Sequence, residues 1–241
     1  MAYRPFFCEM REERLWSDGP VLETHDGVFP LGTDSVLLAD FCNAPKNGRI
    51  CDLGSGTGFL LVRLLWENPG LRGTAAEIEP AAAENSRVNL LRNGLSARGT
   101  VFAGDLRMLP GTEEYDLAVS NPPYFSKESP GRSPARKEMY LSVDELCASA
   151  YRLLKPGGRF CIVHRLERLP LLLGTMYLKK LFPSRLRYVR HRQGKPVKLV
   201  LLEGVKDCET EMLRLPDLIL CHLDGTYTQE TRRIYRMEER A

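Results

Sequence analysis

The sequence predicts an α/β fold in which a mostly parallel sheet is covered by helices on both faces. Short apolar segments alternate with segments of helical periodicity through the centre of the 241-residue chain, which is typical of a parallel sheet buried on both sides. Glycine or proline follows most of these segments and marks their ends. Near residue 195, two β-like segments lie too close together in sequence for a helix to connect them.

Strands and helices are expected to alternate between residues 49 and 181. The expected strands are residues 49–53, 74–78, 100–103, 116–120 and 159–164. The expected helices are residues 59–67, 81–93, 143–154 and 169–181. The first helix stops before Pro69 and the second before Gly94, because proline cannot continue a helix and glycine caps its end.

Two further β-like segments, residues 186–191 and 198–204, are separated by only six residues. A parallel connection needs a crossover of about a dozen residues, so we expect an antiparallel hairpin. The sequence therefore predicts a seven-stranded sheet that ends in an antiparallel hairpin strand. We expect one domain, residues 1–241, in which residues 1–48 are an N-terminal extension packed on the ligand site and residues 126–139 are a mobile substrate loop.

The basic residues are concentrated in one part of the chain. The net charge is only +3, but residues 152–200 contain thirteen Lys or Arg and a single acidic residue, Glu167. A basic segment in an otherwise nearly neutral protein indicates a polyanionic partner. The alternative is that these cations form an ordinary solvated surface.

The remaining composition argues against several classes of protein. No apolar run approaches the roughly 18 residues of a membrane span, and the first ten residues contain no apolar signal region. We therefore expect a cytoplasmic protein with no membrane partner. The seven cysteines are widely spaced without a C-x-x-C pair, so neither a disulfide framework nor a zinc site is expected.

A glycine-rich segment, Asp52-Leu53-Gly54-Ser55-Gly56-Thr57-Gly58, lies between the first expected strand and the first helix. Glycines there allow a tight turn and let backbone N–H groups approach a ligand at the start of a helix. The spacing differs from the dinucleotide fingerprint, and the lysine of a phosphate-binding loop is absent. By itself the segment would also fit a tight turn that binds nothing.

Acidic residues follow the next two expected strands. The second strand ends near Glu77 and Glu79, either of which could accept hydrogen bonds from ribose hydroxyls, and we favour Glu77. The third strand is followed by Asp105, which could accept from an adenine amine, and by Leu106, which could pack on the ring. Because parallel strands end at one edge of a sheet, these groups converge on one crevice with Asp52 and the glycines. Together they predict a site for a nucleoside ligand.

The fourth expected strand is followed by Asn121-Pro122-Pro123-Tyr124-Phe125. An exocyclic amine is a poor nucleophile because its lone pair is delocalised into the base. The Asn121 amide oxygen and the Pro122 carbonyl could accept its two protons and favour a pyramidal, nucleophilic nitrogen. Tyr124 could stack on the face of the base. We expect this chemistry to need neither a general base nor a metal ion, only in-line positioning.

The Asn-Pro-Pro-Tyr segment resembles the signature of amino-group methyltransferases that act on adenine, guanine or glutamine amides. Within that class the chain resembles the bacterial tRNA1(Val) adenine-N6 methyltransferases over nearly its whole length. The resemblance rests on the following further segments: residues 32–38 (GTDSVLL), 135–138 (ARKE), 164–169 (HRLERL), 194–196 (GKP) and 224–228 (DGTYT).

The resemblance implies a Rossmann-like class I methyltransferase fold, S-adenosylmethionine as cofactor and tRNA as substrate. It also implies that Thr33 and Asp34 lie near the methionine part of the cofactor. From the residue types alone, without the family resemblance, Thr33 or Asp34 fits equally well as the N-cap of a helix over residues 36–41.

Several further residues are candidates for contacts with the substrate. Phe125 precedes the loop of residues 126–139, and Arg136 lies within it. We expect this loop to become ordered when it covers RNA, and the alternative is a loop that is merely flexible. Lys195 and Lys198 suit contacts with phosphate groups, and a solvated hairpin is the equal alternative.

Two other functions remain open from the residues alone. An enzyme that methylates a glutamine amide of a release factor would carry the same Asn-Pro-Pro-Tyr segment but would not need the basic segment. A non-catalytic RNA-binding protein of this fold would not need intact cofactor and amine-binding residues.

Overall fold

The computed structural model describes residues 11–24, 32–123 and 141–237. The helices are α1 (Thr33–Phe41), α2 (Phe59–Glu67), α3 (Pro80–Arg92), α4 (Val143–Leu153), α5 (Leu169–Leu178) and α6 (Gln229–Ile234). The strands are β1 (Arg11–Arg14), β2 (Val21–Thr24), β3 (Asn47–Leu53), β4 (Gly70–Glu77), β5 (Gly99–Ala103), β6 (Tyr115–Ser120), β7 (Leu154–Arg165), β8 (Leu181–Arg192), β9 (Val197–Lys206), β10 (Leu213–Arg214) and β11 (Leu218–Cys221).

Nine of the strands form one central sheet in the order β10–β8–β9–β7–β6–β3–β4–β5, with β11 also paired to β8. Neighbouring strands are parallel except where β9 runs antiparallel to both β7 and β8. The expected α/β architecture and the antiparallel hairpin are therefore confirmed.

Two details of the sheet differ from the sequence prediction of seven strands. The antiparallel strand β9 lies inside the sheet, between β8 and β7, rather than at its end. The helix α5 connects β7 to β8 and leaves a gap of one strand between them, and β9 then fills that gap as the second strand of the hairpin. The short strands β10 and β11 then pair with β8, which would otherwise be an open edge.

The core has one apolar layer on each face of the sheet. Successive strand residues alternate between the layers, so Ile50 packs with the helices α1 and α2, whereas Cys51 packs with α4 and α5. Leu117 and Ala118 of β6 divide in the same way. Because successive residues face opposite sides of the sheet and both sides are covered by apolar layers, the short strands are apolar along their whole length.

The N-terminal hairpin β1–β2 is held on α3 by a ladder of asparagine side chains spaced four residues apart. Asn89 accepts from the Glu23 N–H at 2.8 Å and donates to the Glu23 carbonyl at 3.1 Å. Asn85 also donates to that carbonyl, and Asn93 pairs with the backbone of Val21. The helix thus supplies the strand with the hydrogen bonds that a neighbouring strand would make.

The C-terminal helix α6 packs beside α1. The buried guanidinium of Arg63 joins them by donating to the carbonyls of Val36 (3.2 Å) and Ile234 (2.9 Å). No described helix is long and apolar enough to span a membrane.

Candidate active site

The glycine loop between β3 and α2 depends on three residues with left-handed backbone conformations. Gly54, Gly56 and Gly58 have φ angles of 78°, 55° and 77°, which side chains with a Cβ adopt at a cost. A Cβ on Gly58 would collide with the hydroxyl of Ser86 on α3, whereas no described atom lies within 4 Å of that position on Gly54 or Gly56. The loop is therefore packed on one side and open for a ligand on the other.

The carboxylate of Glu77 fixes this loop. Glu77 ends β4 and is only 8% exposed. One of its oxygens accepts the Gly56 N–H at 2.7 Å, and the other accepts the Glu79 N–H at 2.9 Å. Each oxygen keeps a second lone pair that could accept a ribose hydroxyl. Glu79 is exposed at the start of α3, so the geometry favours Glu77 for the ribose.

Asp52 lies completely buried beneath the glycine loop, and neither carboxylate oxygen makes a hydrogen bond of good geometry to a described residue, although the Leu61 N–H is near enough to act on its charge. Burial and the neighbouring charge of Glu77 raise the pKa of Asp52 to about 8, against a smaller opposing effect of the Leu61 N–H. Buried polar groups normally have partners. An acceptor left without one beside an open loop fits a cofactor that brings donors or a positive charge.

The hydroxyls of Ser55 and Ser86 and the side-chain oxygen of Asn85 are also buried without a partner in the described part of the chain. All three belong to the glycine loop or to α3 beside it. Sequence reasoning did not select them, because serine and asparagine are common in ordinary turns and helices. Their clustering is visible only in the folded structure.

Asp105 follows β5 and caps a short 3-10 helix, Leu106–Met108. Its carboxylate accepts the Arg107 N–H at 2.9 Å and forms an ion pair with the Arg107 guanidinium, which also contacts Glu145. These hydrogen bonds from Arg107 lower the pKa of Asp105. An adenine amine would therefore share this carboxylate with Arg107. Leu106 is buried in the core layer next to it.

Asn121 is placed by its neighbours at the end of β6. The Ser120 hydroxyl donates to the Leu53 carbonyl at 2.7 Å, which ties β6 to β3. The Asn121 Nδ2 donates to the Ser35 hydroxyl on α1 at 2.8 Å. Sequence reasoning missed Ser35 as a partner, although it stands next to Thr33 and Asp34. Pro122 follows Asn121 and is partly exposed.

Three expected site residues, Tyr124, Phe125 and Arg136, lie outside the described residues, as does the loop of residues 126–139. The expectation that Thr33 or Asp34 is the N-cap of α1 is wrong, because Gly32 occupies that position and the helix begins at Thr33. An acidic residue in the first turn, such as Asp34, still stabilises the helix dipole. The proposed role of both residues near the cofactor stays a prediction.

The basic segment is less exposed to a partner than its charge suggests. At least six of its thirteen cations form ion pairs with acids from elsewhere in the described part of the fold. These cations are Lys155, Arg159, Lys179, Arg185, Arg187 and Arg190. Counting charges along the sequence could not reveal this, because the acids come from other segments, such as Glu230 and Asp217 for two of the arginines.

Lys195 and Lys198 are exposed, and neither forms an ion pair with any described residue. Lys195 lies in the turn between β8 and β9, and Lys198 is the second residue of β9. Because Arg165 at the end of β7 faces Leu199 in the pairing register, this turn lies at the same edge of the sheet as Asn121. Two to three strand spacings separate the turn from β6, or about 10–14 Å.

Comparison with known proteins gives a consistent family likeness. A model of the methyltransferase small domain family matches residues 21–183. A Porphyromonas gingivalis protein named tRNA1(Val) (adenine(37)-N6)-methyltransferase is 34% identical over 83% of this chain and 84% of its own length. A Bacteroides fragilis protein of the same name is 30% identical over 96% of this chain and 98% of its own length.

Solved structures share the fold at low sequence identity. A predicted O-methyltransferase from Agrobacterium tumefaciens has a TM-score of 0.70 at 18% identity, covering 85% of this chain and 96% of its own. A geranyl diphosphate methyltransferase in complex with SAM has a TM-score of 0.54 at 14% identity, covering 71% of this chain and 84% of its own. At these identities the likeness concerns the fold alone.

The raised pKa of Asp52 predicts a pH-dependent effect of Asp52→Asn on the stability of the ligand-free protein. Between about pH 4 and pH 8 the unfolded chain ionises this carboxyl while the folded protein keeps it protonated, so ionisation lowers the stability of the wild type as pH rises. Asparagine does not titrate. The melting temperature of Asp52→Asn minus that of the wild type should therefore increase between pH 5 and pH 8. In a chain of this length, each kcal/mol of unfolding free energy that the wild type loses corresponds to about 2–4 °C.

Thermal melts at several pH values measure this difference, and Glu79→Gln serves as the control because it removes an exposed acid at the same crevice. A pH-independent difference for Asp52→Asn would show that Asp52 is ionised in the folded protein.

Proposed function

The chain belongs to the methyltransferase small domain family and, within it, to the group of proteins named tRNA1(Val) (adenine(37)-N6)-methyltransferase; we propose that it methylates N6 of the adenine at position 37 of tRNA1(Val). S-adenosylmethionine is the methyl donor, and a tRNA adenine is the acceptor. The observation that carries the proposal is the placement of Asn121 at the end of β6, in the crevice next to the glycine loop. A tRNA substrate implies that the enzyme works in the cytoplasm.

The residues around the glycine loop fit S-adenosylmethionine. The open side of Gly54 and Gly56 admits the nucleoside close to the backbone. Glu77 can accept the ribose hydroxyls, and Asp105 with Leu106 can receive the adenine. The buried Asp52 carboxylate, which makes no hydrogen bond of good geometry to a described residue, suits the positive charge of the methionine part. We assign Thr33 and Asp34, at the start of α1, to the same end of the cofactor.

The bound cofactor supplies an activated methyl group and a neutral thioether leaving group. The protein prepares the acceptor amine. The Asn121 side-chain oxygen and the Pro122 carbonyl accept hydrogen bonds from the two N–H groups of this amine. These hydrogen bonds concentrate the lone pair on N6 for in-line attack. Methyl transfer would leave N6 positively charged until one of its protons passes to solvent. Tyr124 is proposed to hold the base by stacking.

The hydrogen bond from Asn121 Nδ2 to Ser35 matters for this role because it determines which end of the amide faces α1. With the amide nitrogen bound to Ser35, the oxygen is at the opposite end of the group, as an acceptor of the substrate amine requires.

The alternative of a glutamine amide in a release factor is not favoured. The relatives that cover most of this chain are named for tRNA, and the unpaired Lys195 and Lys198 lie at the same sheet edge as Asn121. A non-catalytic RNA-binding protein would not need the preserved cofactor crevice.

Replacing Glu77 tests the assignment of the ribose site. Glu77→Ala should weaken binding of S-adenosylmethionine by about 1–3 kcal/mol, because the buried ribose hydroxyls lose their acceptor. Isothermal calorimetry measures the affinity, and thermal melts without ligand check that the loop survives the loss of its hydrogen bond to Gly56. The control Glu79→Ala should bind within about twofold of wild type. If Glu79→Ala has the larger effect, the ribose role moves to Glu79.

Asn121→Ala tests the mechanism together with the function. Wild-type enzyme should convert adenine to N6-methyladenine in tRNA from a strain that lacks the gene, as detected by mass spectrometry of nucleosides. The variant should be at least about 100-fold slower, the usual effect of losing one preorganised group that acts in the transition state. Its affinity for S-adenosylmethionine should stay within about tenfold of wild type. Methylation of a release-factor peptide but not of tRNA would instead establish the glutamine-amide alternative.

Charge reversal tests the basic turn. Lys195→Glu with Lys198→Glu should weaken tRNA binding and reduce the slope of log affinity against log salt by about two, because each lysine on a phosphate releases about one counterion. Binding of S-adenosylmethionine should not change. The matched control is Lys46→Glu with Lys180→Glu, which reverses two exposed lysines at the opposite edge of the sheet. Equal losses in both variants, or none in either, would contradict a phosphate contact at this turn.

A further inference from the structure

A pair of stacked tyrosines lies in the C-terminal segment, outside the residues assigned to the cofactor or to the amine. The rings of Tyr227 and Tyr235 are nearly parallel, with centroids 5.7 Å apart and an interplanar angle of 12°. Tyr235 is partly buried. Tyr227 is 43% exposed although one of its faces rests on Tyr235. The outer face of its ring is therefore free of the described residues and accessible to a planar ligand.

The pair lies close to the residue that receives the target amine. Burial raises the pKa of Tyr235, and a hydrogen bond to Thr33 offsets part of this rise. Thr33 is the first residue of α1, and Ser35, two residues later, accepts the hydrogen bond from Asn121. The rise of a helix over two residues is about 3 Å, so one turn of α1 contacts both the tyrosine pair and the end of β6.

The sheet register leads to the same location independently. Cys221 at the end of β11 faces Arg192 at the end of β8 and also forms a bridge with Tyr227. The end of β8 and the turn that carries Lys195 lie at the edge of the sheet that holds Asn121. Tyr227 therefore belongs to the substrate side of the molecule.

The backbone around Tyr227 is held rigidly. The carboxylate of Asp224 accepts both the N–H and the hydroxyl of Thr226, at 2.9 and 2.7 Å. On the other side of Tyr227, Thr228 caps α6 and donates its hydroxyl to the Ile219 carbonyl at 2.8 Å. A ring fixed in this way loses little conformational entropy when a planar ligand stacks on it.

A cation, Arg192, lies beside the loop that leads into Tyr227. A Cβ on Gly225 would be 3.2 Å from the Arg192 guanidinium, so this arginine contacts the loop that carries Tyr227. Its Nε is buried without a hydrogen-bond partner in the described part of the structure. The Lys195 N–H donates to the Arg192 carbonyl at 3.1 Å, which brings the basic turn to the same place.

We propose that the exposed ring of Tyr227 is a stacking site for one nucleobase of the RNA next to the methylated adenine, with Arg192 placed for the adjoining phosphate. This inference rests on the proposed function, since the target adenine must leave its stack to reach Asn121. Its neighbour in the anticodon loop then loses a stacking partner. Unstacked RNA bases are commonly received by aromatic side chains beside a cation. Tyr227 supplies the ring, and Tyr235 supports it from behind.

Methylation kinetics on an anticodon stem-loop oligonucleotide test this site. Tyr227→Leu should raise KM for the oligonucleotide by about 5- to 150-fold, the range that base stacking on an aromatic ring supports. KM for S-adenosylmethionine should not change. Tyr227→Phe keeps the ring and should stay within about twofold of wild type. Tyr177→Leu is the matched control, because Tyr177 is also exposed and packs on Phe182, but lies near the amino end of β8.

A second measurement reads base stacking directly in the wild-type complex. 2-Aminopurine is placed in the oligonucleotide on either side of the target adenine. In complex with the wild type, the probe at one of these positions should stay quenched, because it stacks on Tyr227, and it should become bright with Tyr227→Leu. Bright fluorescence at both positions with wild type, or a wild-type KM for Tyr227→Leu, overturns the stacking site while the function stands. Failure of wild type to methylate the oligonucleotide and tRNA contradicts the function itself.

Discussion

The candidate site depends on the hydrogen bond between the buried carboxylate of Glu77 and the backbone N–H of Gly56. It joins the ends of two neighbouring parallel strands, since Gly56 follows β3 and Glu77 ends β4. The loop can follow this path only because its three glycines adopt positive φ angles. Holding Glu77 there also places a second acid near the buried Asp52 and raises its pKa. Bound beside these acids, a positively charged methyl donor would favour the ionised form of Asp52.

The first turn of α1 connects this cofactor crevice to the substrate side. Ser35 orients Asn121 at the end of β6, and Thr33 contacts Tyr235 near the C-terminus. The buried Arg63 of α2 holds α1 and α6 together through their carbonyls. Residues from distant parts of the chain thus meet on one short helical turn. A movement of α1 would disturb the amine site and the tyrosine pair together.

The residues of the crevice and the residues proposed to contact RNA outside it come from different parts of the chain. The family match covers residues 21–183, which contain the glycine loop, the acids and Asn121. The residues after that point build the basic turn and the tyrosine pair, and they supply Asp217 and Glu230 to neutralise the arginines of β8.

The sequence by itself determined the alternation of strands and helices, the antiparallel hairpin, and the glycine, acid and Asn-Pro-Pro-Tyr segments at the strand ends. These features are local, since they depend on periodicity, on backbone freedom at glycine and on the fact that parallel strands end at one edge. Only the tertiary structure decided that β9 lies inside the sheet and that Glu77 rather than Glu79 bonds the loop. It also decided that Ser35 holds Asn121 and that six basic residues are already paired. Each of these depends on contacts between segments far apart in the chain, which neither spacing nor composition encodes.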